Sequence, residues 1–166
     1  MRRRTALSLA ATALAFNGGA RALESALGPV ILTLSGRISH TNQNGVAVFD
    51  MAMLERLPQN GFSTRTPWFS QARRFSGPLL RTVLAAVGSS GTALRAVAIN
   101  DYRVDIPADD AQRHDMLLAT QVDDKPILVR DKGPLLIVYP FDAQPALRSA
   151  VYYSRCAWQL KSIEVL

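Results

Sequence analysis

The sequence predicts an α+β domain built on mixed, largely antiparallel sheets with a few short helices. Three observations carry this expectation. Short apolar runs alternate with turn residues from Val30 to the C-terminus, the mark of many brief strands. Pro78 to Val87 carries helical spacing. Strands and helices do not alternate regularly, as they would in a doubly wound parallel fold.

The elements follow in order. Val30 to Leu34 is apolar and β-branched and stops at Ser35-Gly36, so it reads as a strand. Ser39 to Gly45 is polar and turn-rich. Val46 to Phe49 is a second short strand, after which Asp50 is placed to cap a helix running toward Leu57 and ended by Pro58. In the next helix Pro78 sits at the first turn. Leu80, Val83, Leu84 and Val87 share one face, and Gly88 offers the C-terminal cap. Ala93 to Ile99 and Tyr102 to Ile106 pair as a hairpin around Asn100-Asp101, residues that tolerate positive φ. Met116 to Val122 and Ile127 to Val129 form a second hairpin around Asp123-Asp124-Lys125. Leu135 to Tyr139, apolar throughout, reads as a central strand. Ala146 to Tyr153 reads as a helix, and Ile163 to Leu166 as a closing strand.

Residues 1–22 read as a cleavable export leader. Met1-Arg2-Arg3-Arg4 is basic, Thr5 to Phe16 is apolar, and Ala20-Arg21-Ala22 has the small residues of a cleavage site. The apolar run is shorter than the roughly 20 residues a membrane span requires. Residues 23–166 then form a single domain, periplasmic or secreted, with no stable membrane span after cleavage. The whole chain has a formal charge of +6, but Arg2, Arg3, Arg4 and Arg21 leave with the leader, so the remainder carries +2. No basic stripe with interleaved aromatics remains, and a nucleic-acid partner is not expected. The chain's one cysteine, Cys156, cannot form an intrachain disulfide and reads as a small buried apolar group.

Signs of catalytic or metal chemistry are few. The two histidines, His40 and His114, lack partners at ligand spacing, and there is no C-x-x-C or H-E-x-x-H. Gly88-Ser89-Ser90-Gly91 follows a helix instead of preceding one, so it is a turn and not an anion cradle. No G-x-S-x-G elbow occurs. Arg130-Asp131-Lys132-Gly133-Pro134 packs charge into a tight turn, either a solvated turn with local ion pairs or an anion contact at a sheet rim. Tyr152 to Trp158 concentrates aromatic and cationic groups, with Trp158 expected in the core.

Several segments, in order, resemble the molybdopterin-binding domain of the sulfite oxidase type. They are Phe62-Ser63-Thr64-Arg65-Thr66-Pro67-Trp68, Phe75-Ser76-Gly77-Pro78-Leu79-Leu80, Ala96 to Tyr102, Leu117 to Thr120, Lys125-Pro126-Ile127, Asp131 to Leu135 with Val138-Tyr139-Pro140, and Trp158 to Ile163. The resemblance spans Leu32 to Val165 and implies that family's α+β fold, here as a short stand-alone member. In the family a cysteine thiolate ligates molybdenum four residues before a tryptophan; the matching residue here is Thr64. A threonine hydroxyl is a poor substitute for a soft thiolate. The resemblance also implies a ligand cleft bordered by Thr64, Arg65, Trp68, Asn100, Asp101, Tyr102, Arg130, Asp131 and Lys132. Two functions follow. One is a non-catalytic periplasmic module binding a small-molecule ligand or protein partner in the old cleft, with no cofactor, metal ligand or catalytic residue. The alternative is a molybdopterin-dependent oxidoreductase, or a subunit of one, with non-thiolate ligation.

Overall fold

The computed structural model describes residues 23–166; the expected leader lies outside the described residues. Three sheets surround one apolar core. The largest has five strands: β1 (Leu32–Gly36), β2 (Ala47–Phe49), β5 (Ala93–Ala98), β6 (Arg103–Pro107) and β11 (Leu160–Val165), in the order β2-β1-β11-β5-β6. Only β1 and β11 pair in parallel; the other neighbours are antiparallel. The second sheet holds β3 (Gln59–Thr66), β4 (Phe69–Pro78), β8 (Gln121–Val122) and β9 (Lys125–Pro126), all antiparallel. A two-stranded ribbon joins β7 (Leu117–Ala119) to β10 (Leu136–Val138). Among the described residues, four short helices complete the α+β architecture: α1 (Met51–Arg56), α2 (Leu80–Ala86), α3 (Ala108–Arg113) and α4 (Ala150–Arg155).

The helix signals work through local chemistry. Asp50 caps α1, its Oδ1 accepting from Met53 N at 2.8 Å, while Oδ2 accepts from Leu27 and Gly28 N at 2.9 and 2.8 Å. Leu80, Val83, Leu84 and Val87 are all buried. Gly88 ends that helix at φ +61°, with Ser89 N donating to Leu84 O and Gly88 N to Ala85 O. That pairing is a Schellman cap, which needs a left-handed residue at this point.

The structure corrects several expectations. Pro78 ends β4, paired with Gln59, and does not open α2. Gln59–Thr66 and Phe69–Pro78 form a long hairpin that the hydrophobic pattern concealed, because in β3 only Thr64 and Thr66 are buried. Both faces of its outer half meet water, so polar residues serve there. Val129 lies in a 3-10 turn over Val129–Asp131, and the second hairpin is the short β8–β9 pair. Leu135–Tyr139 is buried throughout, yet β10 pairs only with β7; its apolarity reflects coverage by the core and not a central place in a sheet. Helix α4 begins only at Ala150, after a separate 3-10 turn at Pro145–Leu147. The last strand starts earlier than expected, at Leu160, and lies inside the five-stranded sheet between β1 and β5. Among the described residues no helix is long and apolar enough to cross a membrane.

Candidate functional site

Four separated segments meet at a cavity of about 550 Å³. Pro67 and Trp68 form the turn between β3 and β4. Asn100 and Tyr102 come from the β5–β6 turn, in which Asp101 adopts φ +64° and donates its N–H to Ala98 O at 3.0 Å. Tyr153 and Ser154 lie on α4, while Trp158 and Gln159 form the link into β11.

Hydrogen bonds fix these pieces to one another. Tyr102 Oη donates to Ser154 O at 2.7 Å, tying the β5–β6 turn to α4. Gln159, at φ +50°, donates its N–H to Lys132 O at 2.9 Å and accepts from Ile99 N at 2.8 Å. Its Nε2 reaches Val129 O at 2.8 Å. Gln159 thus joins the Lys132 turn, the Asn100 turn and β11. Gly133 is required beside it, since a Cβ there would sit 2.1 Å from Ile127 O.

The walls are aromatic. Trp68 and Trp158 meet edge to face with centroids 5.2 Å apart, and Trp68 meets Tyr153 at 6.4 Å and 87°. Lys132 Nζ lies 4.7 Å from the Trp158 centroid and 5.5 Å from that of Phe69. These are cation–π distances. Trp158, expected in the core, is 38% exposed; Tyr139, Phe49, Phe75 and Phe141 supply the core's large rings instead. Exposed apolar side chains gather on the same segments: Ile99 and Tyr102 on the β5–β6 turn, Val151 on α4.

The residues expected to border a cleft therefore separate into two groups. Trp68, Asn100 and Tyr102 line the cavity, whereas Lys132 does not line it and packs its ammonium over the rings of Trp158 and Phe69. Asp101 turns to Lys161, whose Nζ is 2.7 Å away and holds the Asp101 carboxyl below its ordinary pKa. Arg130 and Asp131 are exposed and pair with each other at 3.7 Å. Thr64 and Arg65 do not line the cavity. Thr64 is buried, its Oγ1 accepting from Asp142 N at 3.0 Å and donating to Arg65 O at 3.4 Å. Arg65 is held through its backbone N–H on Asp142 Oδ2 at 3.1 Å, with its side chain exposed. Tyr153 and Gln159 were not singled out as site residues in the sequence. The one signal for them was the crowding of aromatic and cationic residues between Tyr152 and Trp158.

Behind helix α4, whose Tyr153 and Ser154 line the cavity, Asp110 is a buried carboxylate. Asp110 Oδ2 accepts from Tyr139 Oη and from Arg155 Nη1, both at 2.8 Å. Burial, together with the bond to Asp110, raises the Tyr139 phenol above its ordinary pKa. Cys156 borders the cavity but is only 4% exposed, and burial pushes its thiol up to about 12.

No protein-family model matches the chain, and no curated protein matches it.

A molybdenum cofactor of the type implied by the resemblance does not fit these residues. The hydroxyl of Thr64 has both its hydrogen-bonding roles filled within the chain and offers no soft anionic donor at that position. Among the described residues no group of three or more His, Cys, Asp and Glu is placed to hold a metal ion. His40 Nδ1 lies 3.0 Å from Ala86 O and His114 Nδ1 lies 2.7 Å from Gln144 Oε1, contacts that hold loops in place.

Proposed function

We propose that this protein is an exported, non-catalytic binding module of the sulfite oxidase-type fold, which takes a small-molecule ligand in the cavity between Trp68 and Trp158. The observation that carries the reading is the aromatic cavity itself. Its volume, about 550 Å³, lies in the range of small-molecule sites. Four rings, those of Trp68, Tyr102, Tyr153 and Trp158, border it with a few polar groups between them. Partly exposed tryptophans at a concavity are a poor use of apolar surface unless something covers them.

Three of the segments behind the sequence resemblance, Phe62 to Trp68, Ala96 to Tyr102 and Trp158 to Ile163, each contribute residues to this cavity. Thr64, where the first of these segments departs from the family pattern, does not line the cavity. A binding role that keeps the cleft and abandons the metal accounts for both facts. No reaction step is assigned to the site.

The test is to produce the protein with its own leader in a host that makes the molybdenum cofactor. Purified protein is then analysed for metals and for small molecules released on denaturation. A released organic ligand present in the wild type and absent from Trp68→Ala is the expected result. Molybdenum near one atom per chain, lost in Thr64→Ala, would overturn the reading and establish the oxidoreductase alternative.

A further inference from the structure

We infer that the ligand of this cavity is an uncharged aromatic carboxamide, its ring packed among the side chains of Trp68, Tyr102, Tyr153 and Trp158 and its amide set between Asn100 and Gln159. The inference rests on the binding reading above and adds the ligand's chemical class.

Neutrality follows from the lining. Among the described residues that border the cavity, none is Asp, Glu, Lys, Arg or His. A charge brought out of water needs a counter-charge, and no ionic side chain stands there to supply one. The charged groups nearby are committed elsewhere. Lys132 lays its ammonium over Trp158 and Phe69, outside the lining. Asp101 pairs with Lys161, and Asp131 with Arg130. An aromatic box can hold a cation without a carboxylate. Here Lys132 already stands 4.7 Å from the Trp158 centroid, so a second cation at that ring would meet repulsion.

The amide follows from the hydrogen bonds left over. The side-chain amides of Asn100 and Gln159 are each oriented by a backbone partner. Asn100 Oδ1 accepts from Tyr102 N at 3.2 Å, which leaves its amide nitrogen as a donor without a partner among the described residues. Gln159 Nε2 donates to Val129 O at 2.8 Å, which leaves Oε1 as an acceptor. The hydroxyls of Tyr102 and Ser154 each donate to a backbone carbonyl at 2.7 Å, so toward a guest they accept. The Tyr153 hydroxyl can act either way. The cavity thus offers both roles from neutral groups. A carboxylate only accepts, and would set its lone pairs against Gln159 Oε1. An ammonium only donates, and would set its N–H bonds against those of Asn100. A carboxamide gives a carbonyl to the one and N–H bonds to the other.

The ring follows from the walls. Trp68 meets Trp158 at an interplanar angle of 64° and Tyr153 at 87°, so neither pair stacks face to face. A flat guest packs on ring faces and edges of this kind.

The experiment is isothermal titration of the folded protein with four probes of one shape: 2-naphthamide, methyl 2-naphthoate, 2-naphthoate and 2-naphthylmethylammonium. The amide is expected to bind about tenfold tighter than either ion, and about fivefold tighter than the ester, which keeps the carbonyl and lacks the N–H donors. Asn100→Asp keeps the oxygen that receives Tyr102 N and exchanges the donor for a carboxylate. It should weaken the amide about tenfold and make the ammonium the tightest probe. Trp158→Ala, at a ring that is 38% exposed, should weaken every probe that binds. An acid or ammonium that matches the amide, with its affinity lowered by Trp158→Ala, overturns the class while the cavity reading stands. An ester as tight as the amide overturns the role of the N–H donors, and with it the carboxamide. An order of probes unchanged in Asn100→Asp overturns the placement at Asn100, and affinities untouched by Trp158→Ala put the probes elsewhere and overturn the whole inference. Absence of binding by all four probes removes the class, and the binding reading is then decided by the ligand released from the native protein.

Discussion

The indole rings of Trp68 and Trp158 meet edge to face with their centroids 5.2 Å apart. One belongs to a hairpin tip of the second sheet and the other to the link into β11 in the first sheet. This contact therefore clasps two sheets at the mouth of the cavity. Aromatic pairs of this geometry contribute about 0.5–1.5 kcal/mol beyond their burial. A double-mutant cycle with Trp68→Leu, Trp158→Leu and the double variant, read by urea unfolding, should return a coupling in that range. Strictly additive losses would show that the two rings are neighbours without being partners.

A second clasp holds helix α4. Asp110 is 2% exposed at its side chain and takes one hydrogen bond from Tyr139 and one from Arg155, which is itself 19% exposed. Because α3 carries Asp110 and α4 carries Arg155, the pair holds α4 against the body and so places Tyr153 and Ser154 at the cavity. Tyr139→Phe deletes one bond to a charged acceptor, at a cost of about 1.5–3 kcal/mol. Arg155→Met removes the hydrogen-bonded counter-charge and leaves only Arg113, 3.7 Å from Oδ1, so it should cost more, about 3–4 kcal/mol, toward the lower end for a broken buried pair. Unfolding midpoints in the reverse order would mean that the phenol, not the guanidinium, carries Asp110.

Much of the scaffold was legible because its signals are local. Asp50 before Met51, and Gly88 after the stripe of Leu80, Val83, Leu84 and Val87, act within a few residues of themselves, and each stands where the pattern placed it. The β3–β4 hairpin was not legible. Strand β4 runs Ser70-Gln71-Ala72-Arg73-Arg74 with every residue exposed, so pairing is supplied by the backbone and leaves no apolar alternation. The site divides in the same way. Trp68, Asn100 and Tyr102 stand out as short motifs, whereas Gln159 acts through a left-handed backbone and two turns distant in sequence. Trp158 misled because a tryptophan among apolar residues ordinarily marks a core, and here the ring closes a cavity wall.

Asp50 makes a pH prediction with a definite sign. Backbone N–H groups of Gly28, Met53 and Leu27 hold its carboxyl below the ordinary value of 3.8. A depressed folded pKa gives stability that is fully present above the unfolded value and lost as pH falls through the folded one. Asp50→Asn keeps a capping oxygen for Met53 but loses the charge and the acceptor for Leu27 and Gly28. Its melting temperature should therefore lie below wild type at pH 7, and the gap should narrow as pH falls below about 4. Other depressed acids, Asp101, Asp105 and Asp123, act equally in both proteins and cancel from the difference. A gap independent of pH from 7 to 2.5 would assign the cap's contribution to packing.

Thr64 makes the last prediction, because its role is now structural. Its hydroxyl accepts from Asp142 N at 3.0 Å, and Asp142 in turn accepts from Arg65 N and pairs with Arg148. The hydroxyl thereby anchors β3 to the loop ahead of α4, across 78 residues of sequence. Thr64→Val keeps the shape and removes the acceptor, leaving the Asp142 N–H unpaired at a cost of about 1–3 kcal/mol. Thr64→Ser, which retains the hydroxyl, should recover most of that loss. Thr64→Cys should not, because a thiol is a weak acceptor. The ordering Ser, then Cys, then Val in urea midpoints follows from hydrogen bonding alone. A Thr64→Cys protein as stable as wild type would show that the position tolerates a sulfur without loss, and would reopen it as a metal-ligand site.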